Sequence, residues 1–434
     1  MTEKLTAALR VYRLISAAAM PIAPLLLGRR MKRGKEDRAR VSERRGEAGL
    51  QRPDGILIWL HAASVGELAS VLPLIERVSA RGVNVLVTTG TVTSGGLAEQ
   101  RLPRGVIHQY VPVDVPYYVR RFLKHWQPDL ALFVESDLWP NMMIETSRRG
   151  VPMILVNARL SEKSFNRWRQ FPRTIGNLLR RFDLCMAGTP DDAMRLSDLG
   201  APRVVTTGNL KLDVPAPSAD GTQLERLSDA IAGRPVIGAA STHAGEEDIV
   251  IAAHKRLSGS FPNLLTLIAP RHPDRGPAIA GIAEAAGLKV RLRSRGELPD
   301  TNTGIYVADT IGELGLIYRV ARLVFMGGSL IEHGGQNPIE AAKLGAAILH
   351  GPHVWNFAEI YAALDNAHGA ELVLDAGRLT AGFGAWLNDA KTAAHVANVG
   401  RATVDALGGA LEHTLHSLDP YLMQLQLRQR AYNA

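Results

Sequence analysis

Three stretches of the chain set acidic, basic and glycine residues at spacings that chemistry could use. The longest runs Met326-Gly327-Gly328-Ser329-Leu330-Ile331-Glu332-His333-Gly334-Gly335-Gln336-Asn337-Pro338-Ile339-Glu340. Its glycines let backbone approach a ligand closely, and the helix expected from Asn337 offers unpaired N–H groups and partial positive charge to phosphate. Glu340, in the first turn, is placed to accept hydrogen bonds from sugar hydroxyls, so nucleotide-sugar chemistry leads. The second stretch, His61-Ala62-Ala63-Ser64-Val65-Gly66-Glu67, follows a strand and opens a helix. Glu67 could take a proton from an acceptor hydroxyl. A helix N-terminus lowers its basicity and burial raises it, while Ser64-x-x-Glu67 also reads as a capping box. The third, Glu135-Ser136-Asp137, could position substrate, hold a metal through hard oxygen ligands or, through Asp137, cap a helix. The Asp-x-Asp pattern of metal-dependent transferases is absent.

Later in the chain, Ser241-Thr242-His243-Ala244-Gly245-Glu246-Glu247 follows a strand and opens a helix, supplying hydroxyls and N–H groups suited to phosphate. Arg271, after another strand, could grip phosphate or carboxylate bidentately. His272 and His333 fit structural and catalytic roles equally, and Arg275 suits either an anion or solvent. No G-x-G-x-x-G follows a strand and no G-x-x-x-x-G-K-[ST] is present, which disfavours dinucleotide enzymes and phosphate-loop NTPases.

Short apolar runs alternating with helical patterns must position these residues, and they predict βαβ units with mainly parallel sheets. Strands are expected at 56–60, 83–88, 106–111, 130–134, 153–156, 184–187 and 204–206, then again at 236–240, 264–269, 290–292, 305–307, 323–326, 347–349 and 372–374. A Pro- and Ala-containing linker, 214–221, separates the two series. The expected division is a segment 1–45, a Rossmann-like domain 46–213, a second one 222–415 and a helix 416–434 that could return to the first half. Ligands of such sheets bind at the carboxyl ends of strands, so chemistry is expected in a cleft between the halves.

A chain of 434 residues exceeds one ordinary core, and 46% hydrophobic with 21% charged residues suits a soluble globular enzyme. The single cysteine, Cys185, lies in an apolar run and reads as core in a reducing compartment. The net charge of +8 is concentrated at 29–45, where nine basic residues face three acids, directly after the apolar run 14–27. That run is short for a membrane span, is interrupted by Pro21 and Pro24, and carries its heavier charge on the wrong side for a signal peptide. Residues 1–45 are therefore expected to lie on an anionic cytoplasmic membrane surface, the alternative being a helix packed on the protein with a solvated basic face.

Six ordered blocks together resemble the 3-deoxy-D-manno-octulosonic acid (Kdo) transferases of Gram-negative bacteria: 61–67, 134–141, 208–213, 241–247, 270–275 and 326–340. The resemblance implies a GT-B fold of two Rossmann-like domains facing each other across a cleft, at the cytoplasmic face of the inner membrane. It implies inverting transfer of Kdo from CMP-Kdo to a lipid A precursor (lipid IVA), with no catalytic metal, no cofactor and no nucleic-acid partner. On that analogy Glu67 is the general base, and Glu135, with Asp137 and Ser64, holds the acceptor or supports the site. Ser241, Thr242, Arg271, Gly327, Gly328, Ser329, Asn337 and Glu340 would surround CMP, and Asn209 and Lys211 would sit at the domain junction. Gln336 departs from the family, where histidine is frequent. A GT-B transferase or epimerase acting on a UDP-sugar, and a non-catalytic sugar-nucleotide binding protein, are the competing readings.

Overall fold

In a computed structural model describing residues 4–136 and 138–433, the chain folds as two compact α/β units, 1–214 with 408–434, and 215–407. The first is built on strands β1 (Leu57–His61), β2 (Asn84–Thr89), β3 (Ile107–Tyr110), β4 (Leu130–Val134), β5 (Met153–Ala158), β6 (Leu184–Ala187) and β7 (Val204–Thr206). All are parallel, in the order β3-β2-β1-β4-β5-β6-β7. Side chains alternate between faces: Leu57 and Trp59 join one core with the helices Pro116–Trp126, Pro140–Arg148 and Pro172–Leu179, and Ile58 and Leu60 join another beneath the helix Val65–Ser79. Cys185 is part of the first core, where burial pushes its thiol up to about 12.

The second unit repeats the plan with β8 (Val236–Thr242), β9 (Leu265–Pro270), β10 (Val290–Leu292), β11 (Ile305–Val307), β12 (Leu323–Met326), β13 (Ala347–His350) and β14 (Glu371–Leu372). The order is β10-β11-β9-β8-β12-β13-β14, again all parallel. The strand order turns between β1 and β4 in the first sheet and between β8 and β12 in the second, where β11 is also inserted between β9 and β10. At such a switch point the connections leave in opposite directions and open a crevice at the carboxyl edge. The blocks singled out in the sequence, 61–67, 134–141, 241–247 and 326–340, follow those four strands.

Three boundaries differ from the sequence reading. The chain returns to the first unit at Gly408, before residue 416, because Asp213 accepts hydrogen bonds from the N–H groups of Gly409 (2.7 Å) and Leu411 and so starts the helix Ala410–Asn433 there. Residues 215–221 belong to the second unit, where Arg319 donates to the Pro217 carbonyl (2.7 Å).

The basic run, finally, does not form a separate segment with the residues before it. Glu43 accepts from the Tyr110 N–H (2.6 Å), the Val113 N–H donates to the Arg44 carbonyl (2.8 Å), and Arg40 donates to the His108 carbonyl (2.9 Å). An exposed edge strand demands such cover, and residues 40–44 supply it to β3. Ahead of them, the helices Ala7–Ala18 and Ala23–Lys32 also dock on the first unit. Tyr12 donates to Asp114 (2.9 Å), Arg13 pairs with Glu145 (2.5 Å), and Leu9, Ala23 and Leu27 are buried. Among the described residues no single helix is long and apolar enough to cross a membrane; this pair, bent by 69°, meets the length and composition only together.

Candidate functional site

At the carboxyl edge of the first sheet, Glu67 sits in the first turn of its helix with both carboxylate oxygens engaged. Oε2 accepts from the Ala63 N–H (2.8 Å) and Oε1 from the Ser64 hydroxyl (2.9 Å), while Ser64 Oγ accepts from the Glu67 N–H (3.3 Å). Half of the capping box expected from Ser64-x-x-Glu67 is present: Ser64 caps the Glu67 N–H, but the carboxylate reaches the amide of Ala63, one residue before the cap, instead of that of Ser64. The side chain is half-buried. Beneath it, the buried His61 ring shares the Thr88 hydroxyl (2.9 Å) with the Trp59 indole N–H (2.9 Å), which locks the end of β1.

Two non-glycine residues at neighbouring strand ends adopt left-handed backbone, Glu135 after β4 (φ 59°) and Asn157 in β5 (φ 52°). Such conformations cost about 1–2 kcal/mol and tend to mark places where a side chain must be aimed. Lys211 Nζ lies 2.6 Å from Glu135 Oε1 as a charge contact without hydrogen-bond alignment. Asn157 accepts from the Leu210 N–H (3.0 Å), and Asn209 accepts from the Lys211 N–H (3.1 Å). Asn209 and Lys211, expected at a domain junction, lie in the first unit shortly before its boundary at Val214; Lys211 meets Glu135 beyond β4, and Asn209 caps its own turn. The sequence reading missed Asn157; its signal was an asparagine, tolerant of left-handed backbone, closing a buried strand. Asp137 lies outside the described residues.

In the second unit the glycine-rich loop is organised differently from the expectation. Glu246 is fully buried, and its carboxylate accepts from the N–H groups of Gly328 (2.7 Å), Ser329 (3.0 Å), Leu330 (3.1 Å) and His243 (3.0 Å). The Gly327 N–H donates to the Ala240 carbonyl (2.8 Å), and Ser329 Oγ is buried between the Met326 carbonyl and the Gly351 N–H. Gly327, Gly328 and Ser329 therefore do not offer these groups to phosphate; an internal carboxylate occupies the anion position. Thr242 is likewise buried, donating to Glu247 (3.3 Å), which Arg275 grips through two nitrogens (3.1 and 3.2 Å). Glu246 was legible only as half of an acidic pair opening a helix. The helix after the loop is Ile339–Lys343, starting later than Asn337 and too short to carry a sizeable dipole.

What remains available at this edge is a cationic and histidine-rich surface. Arg271, exposed at the end of β9, makes no side-chain hydrogen bond or ion pair among the described residues. The His243 ring lies 3.8 Å, centroid to centroid, from that of His333 and 6.0 Å from that of His272. Burial, then the neighbouring His333, His272, Arg271 and Arg275, push His243 down to about 4, so it is neutral at pH 7. Gln336 Nε2, 3.1 Å from His243 Nε2, suits that state by donating to an unprotonated nitrogen. Ser241, the left-handed residue of β8 (φ 57°), has a hydroxyl with no hydrogen bond among the described residues. Burial raises the Glu340 carboxyl, opposed by its hydrogen bond from Asn337 (3.3 Å) and by the charge of Arg271. Among the described residues, no group of three or more His, Cys, Asp or Glu could hold a metal ion.

Two parallel seven-stranded sheets, each with its acidic or basic residues at a carboxyl-edge switch point, define the GT-B class. A UDP-GlcNAc 2-epimerase from Neisseria meningitidis shares this fold, with a TM-score of 0.57 at 14% identity over 84% of this chain and 99% of its own. Residues 36–214 match the model of the 3-deoxy-D-manno-octulosonic-acid transferase (kdotransferase) family. The 3-deoxy-D-manno-octulosonic acid transferase of Haemophilus influenzae is 34% identical over 89% of this chain and 92% of its own. That of Bordetella pertussis is 34% identical over 95% and 99%. The chain belongs to the Kdo transferase family, and its activity is that of a glycosyltransferase moving Kdo in lipopolysaccharide synthesis.

Proposed function

We propose that the donor is CMP-Kdo, that the acceptor is the hydroxyl of a lipid A precursor (lipid IVA), and that Glu67 is the general base. The observation that carries this reading is the Glu67 carboxylate, held by Ala63 and Ser64 in a fixed orientation at the switch point of the first sheet. Glu67 takes the acceptor proton as the oxygen attacks the anomeric carbon of Kdo, and the bond to phosphate breaks with its electron pair leaving on CMP. Arg271 meets the charge that develops on that phosphate, with the His243, His272 and His333 rings and the Ser241 hydroxyl as further partners. Asn337 and Glu340 take hydroxyls of the nucleotide, and Glu135, fixed by Lys211, supports the acceptor. Glu67→Gln should lower kcat by about 10²–10⁴-fold while leaving CMP affinity, measured calorimetrically, within about twofold. Full turnover in that variant would refute the assignment, and tighter binding of UDP than of CMP would refute the donor.

The membrane reading rests on the N-terminal helices. Val11, Leu14, Ile15, Ile22, Leu25 and Leu26 are exposed there, and Arg29, Arg30, Lys32 and Arg33 follow at the end of the second helix. An apolar stripe with a basic flank suits shallow insertion at the anionic cytoplasmic face of the inner membrane, where a lipid-borne acceptor would be met.

A further inference from the structure

A cavity of about 630 Å³ opens where the helix Ala7–Ala18 crosses the starts of the helix Pro116–Trp126 and the end of the helix Pro140–Arg148. Five cations line it: Lys4, Arg10, Arg13, Arg120 and Arg148. Glu145 is the carboxylate that answers them, binding Arg13 at 2.5 Å and Arg148 at 3.5 Å. Lys4, Arg10 and Arg120 have no acid within ion-pair distance among the described residues. Mutual repulsion in such a group is relieved by an anion, and guanidinium groups suit phosphate oxygens.

The rest of the lining is apolar. Leu5, Leu14 and Ala17 face the cavity, and Arg10, Leu14 and Ala17 share one side of their helix by spacing. Leu14 is also 70% exposed and continues into the stripe of Val11 and Ile15. Charge at one part and hydrocarbon at the other is the complement of an anionic amphiphile, and the volume is that of a small-molecule site.

We infer that this cavity is a discrete site for the headgroup and first acyl carbons of an acidic glycerophospholipid. The inference rests on the membrane-facing reading of the N-terminal helices and adds to it a stoichiometric lipid. The phosphate lies among Arg10, Arg120 and Lys4, and the chains leave along Leu14 toward the bilayer.

The full chain, titrated with dihexanoyl-phosphatidylglycerol below its micelle concentration and followed by native mass spectrometry, should bind one lipid. Dihexanoyl-phosphatidylcholine should bind at least tenfold more weakly, roughly the worth of one charge-assisted contact. Arg10→Ala with Arg120→Ala should weaken the phosphatidylglycerol complex about tenfold or more. Lys32→Ala with Arg33→Ala removes equal charge from the exposed helix end and should leave it unchanged. Equal binding of both lipids, equal loss in both double variants, or displacement of the lipid by an equal concentration of inorganic phosphate would overturn the site. Flotation of Leu25→Ser with Leu26→Ser on phosphatidylglycerol vesicles reads the membrane assignment separately. The wild-type chain should float and that variant should not; a wild-type chain that fails to float, or a variant that floats as well, sinks the membrane reading, whereas the expected flotation with no bound short-chain lipid sinks only the cavity.

Discussion

The Glu67 carboxylate caps its own helix through Ala63 and Ser64, and in the proposed mechanism the same group takes the acceptor proton. The two roles separate experimentally. Ser64→Ala removes the cap to the Glu67 N–H and should cost about 1 kcal/mol in a denaturant titration. It should lower kcat less than Glu67→Gln does, since the proposed base remains. At the carboxyl edge of the second sheet, Arg271 differs from Arg275 in a way that identical residue types concealed. Arg275 is committed to Glu247 and Arg271 is not. Which arginine was free could not be read from Pro270-Arg271-His272-Pro273-Asp274-Arg275, because the partner of Arg275 lies on another element.

The glycine-rich loop is the element whose chemistry the sequence concealed most. Its composition pointed to phosphate, yet its amides converge on a carboxylate some eighty residues earlier in the chain, Glu246. A nest of N–H groups binds any anion, and here the chain supplies its own. Glu246→Gln should therefore destabilise the fold by about 2 kcal/mol or more in chemical denaturation, as an amide nitrogen would face donors. CMP affinity should fall with it, because His243 hangs from the same carboxylate through its N–H. Gly327 has a separate constraint. A Cβ there would lie 2.5 Å from the Ser241 carbonyl oxygen and 2.6 Å from Thr242 Cα, both backbone atoms. Gly327→Ala should push β12 from β8 at a cost of roughly 1–3 kcal/mol, seen as a lowered thermal midpoint. The strands themselves were legible throughout, since buried parallel strands read as continuous apolar runs bounded by turn residues. Their ends were less so: β8 runs on through Thr242 past a left-handed Ser241, and no propensity scale announces such an irregularity.

At the scale of the whole molecule, His108, His243 and His254 are held neutral inside the fold. His108 and His254 are pushed down to about 4, by burial first and then by Arg40 and Arg234 respectively, and His243 joins them at the carboxyl edge of the second sheet. Their ordinary value is 6.5, so the unfolded chain takes up these protons before the folded one does. Stability is thus complete above about pH 6.5 and declines as pH falls toward 4, by up to about 1.4 kcal/mol per pH unit for each of His108 and His254. Thermal melts between pH 7 and 4 should show that slope, and His108→Gln should flatten it. The doubling of one plan, two sheets each with its reversal point, was visible as two series of strands. The return of the chain at Gly408 was not, because it depends on Asp213 rather than on any break in composition.

That return governs how the enzyme can be made. Ala410, Leu415, Leu418 and Leu422 complete the core that Val71, Leu74, Ile75 and Val78 begin, so the first unit leaves the ribosome with one flank bare. At about 5–20 residues per second, roughly 10–40 s separate the emergence of Val214 from that of Gly408. Throughout that interval the nascent half presents greasy helix surface to solvent, and a chain terminated at Leu407 should keep it, binding more of the dye ANS than the whole chain does.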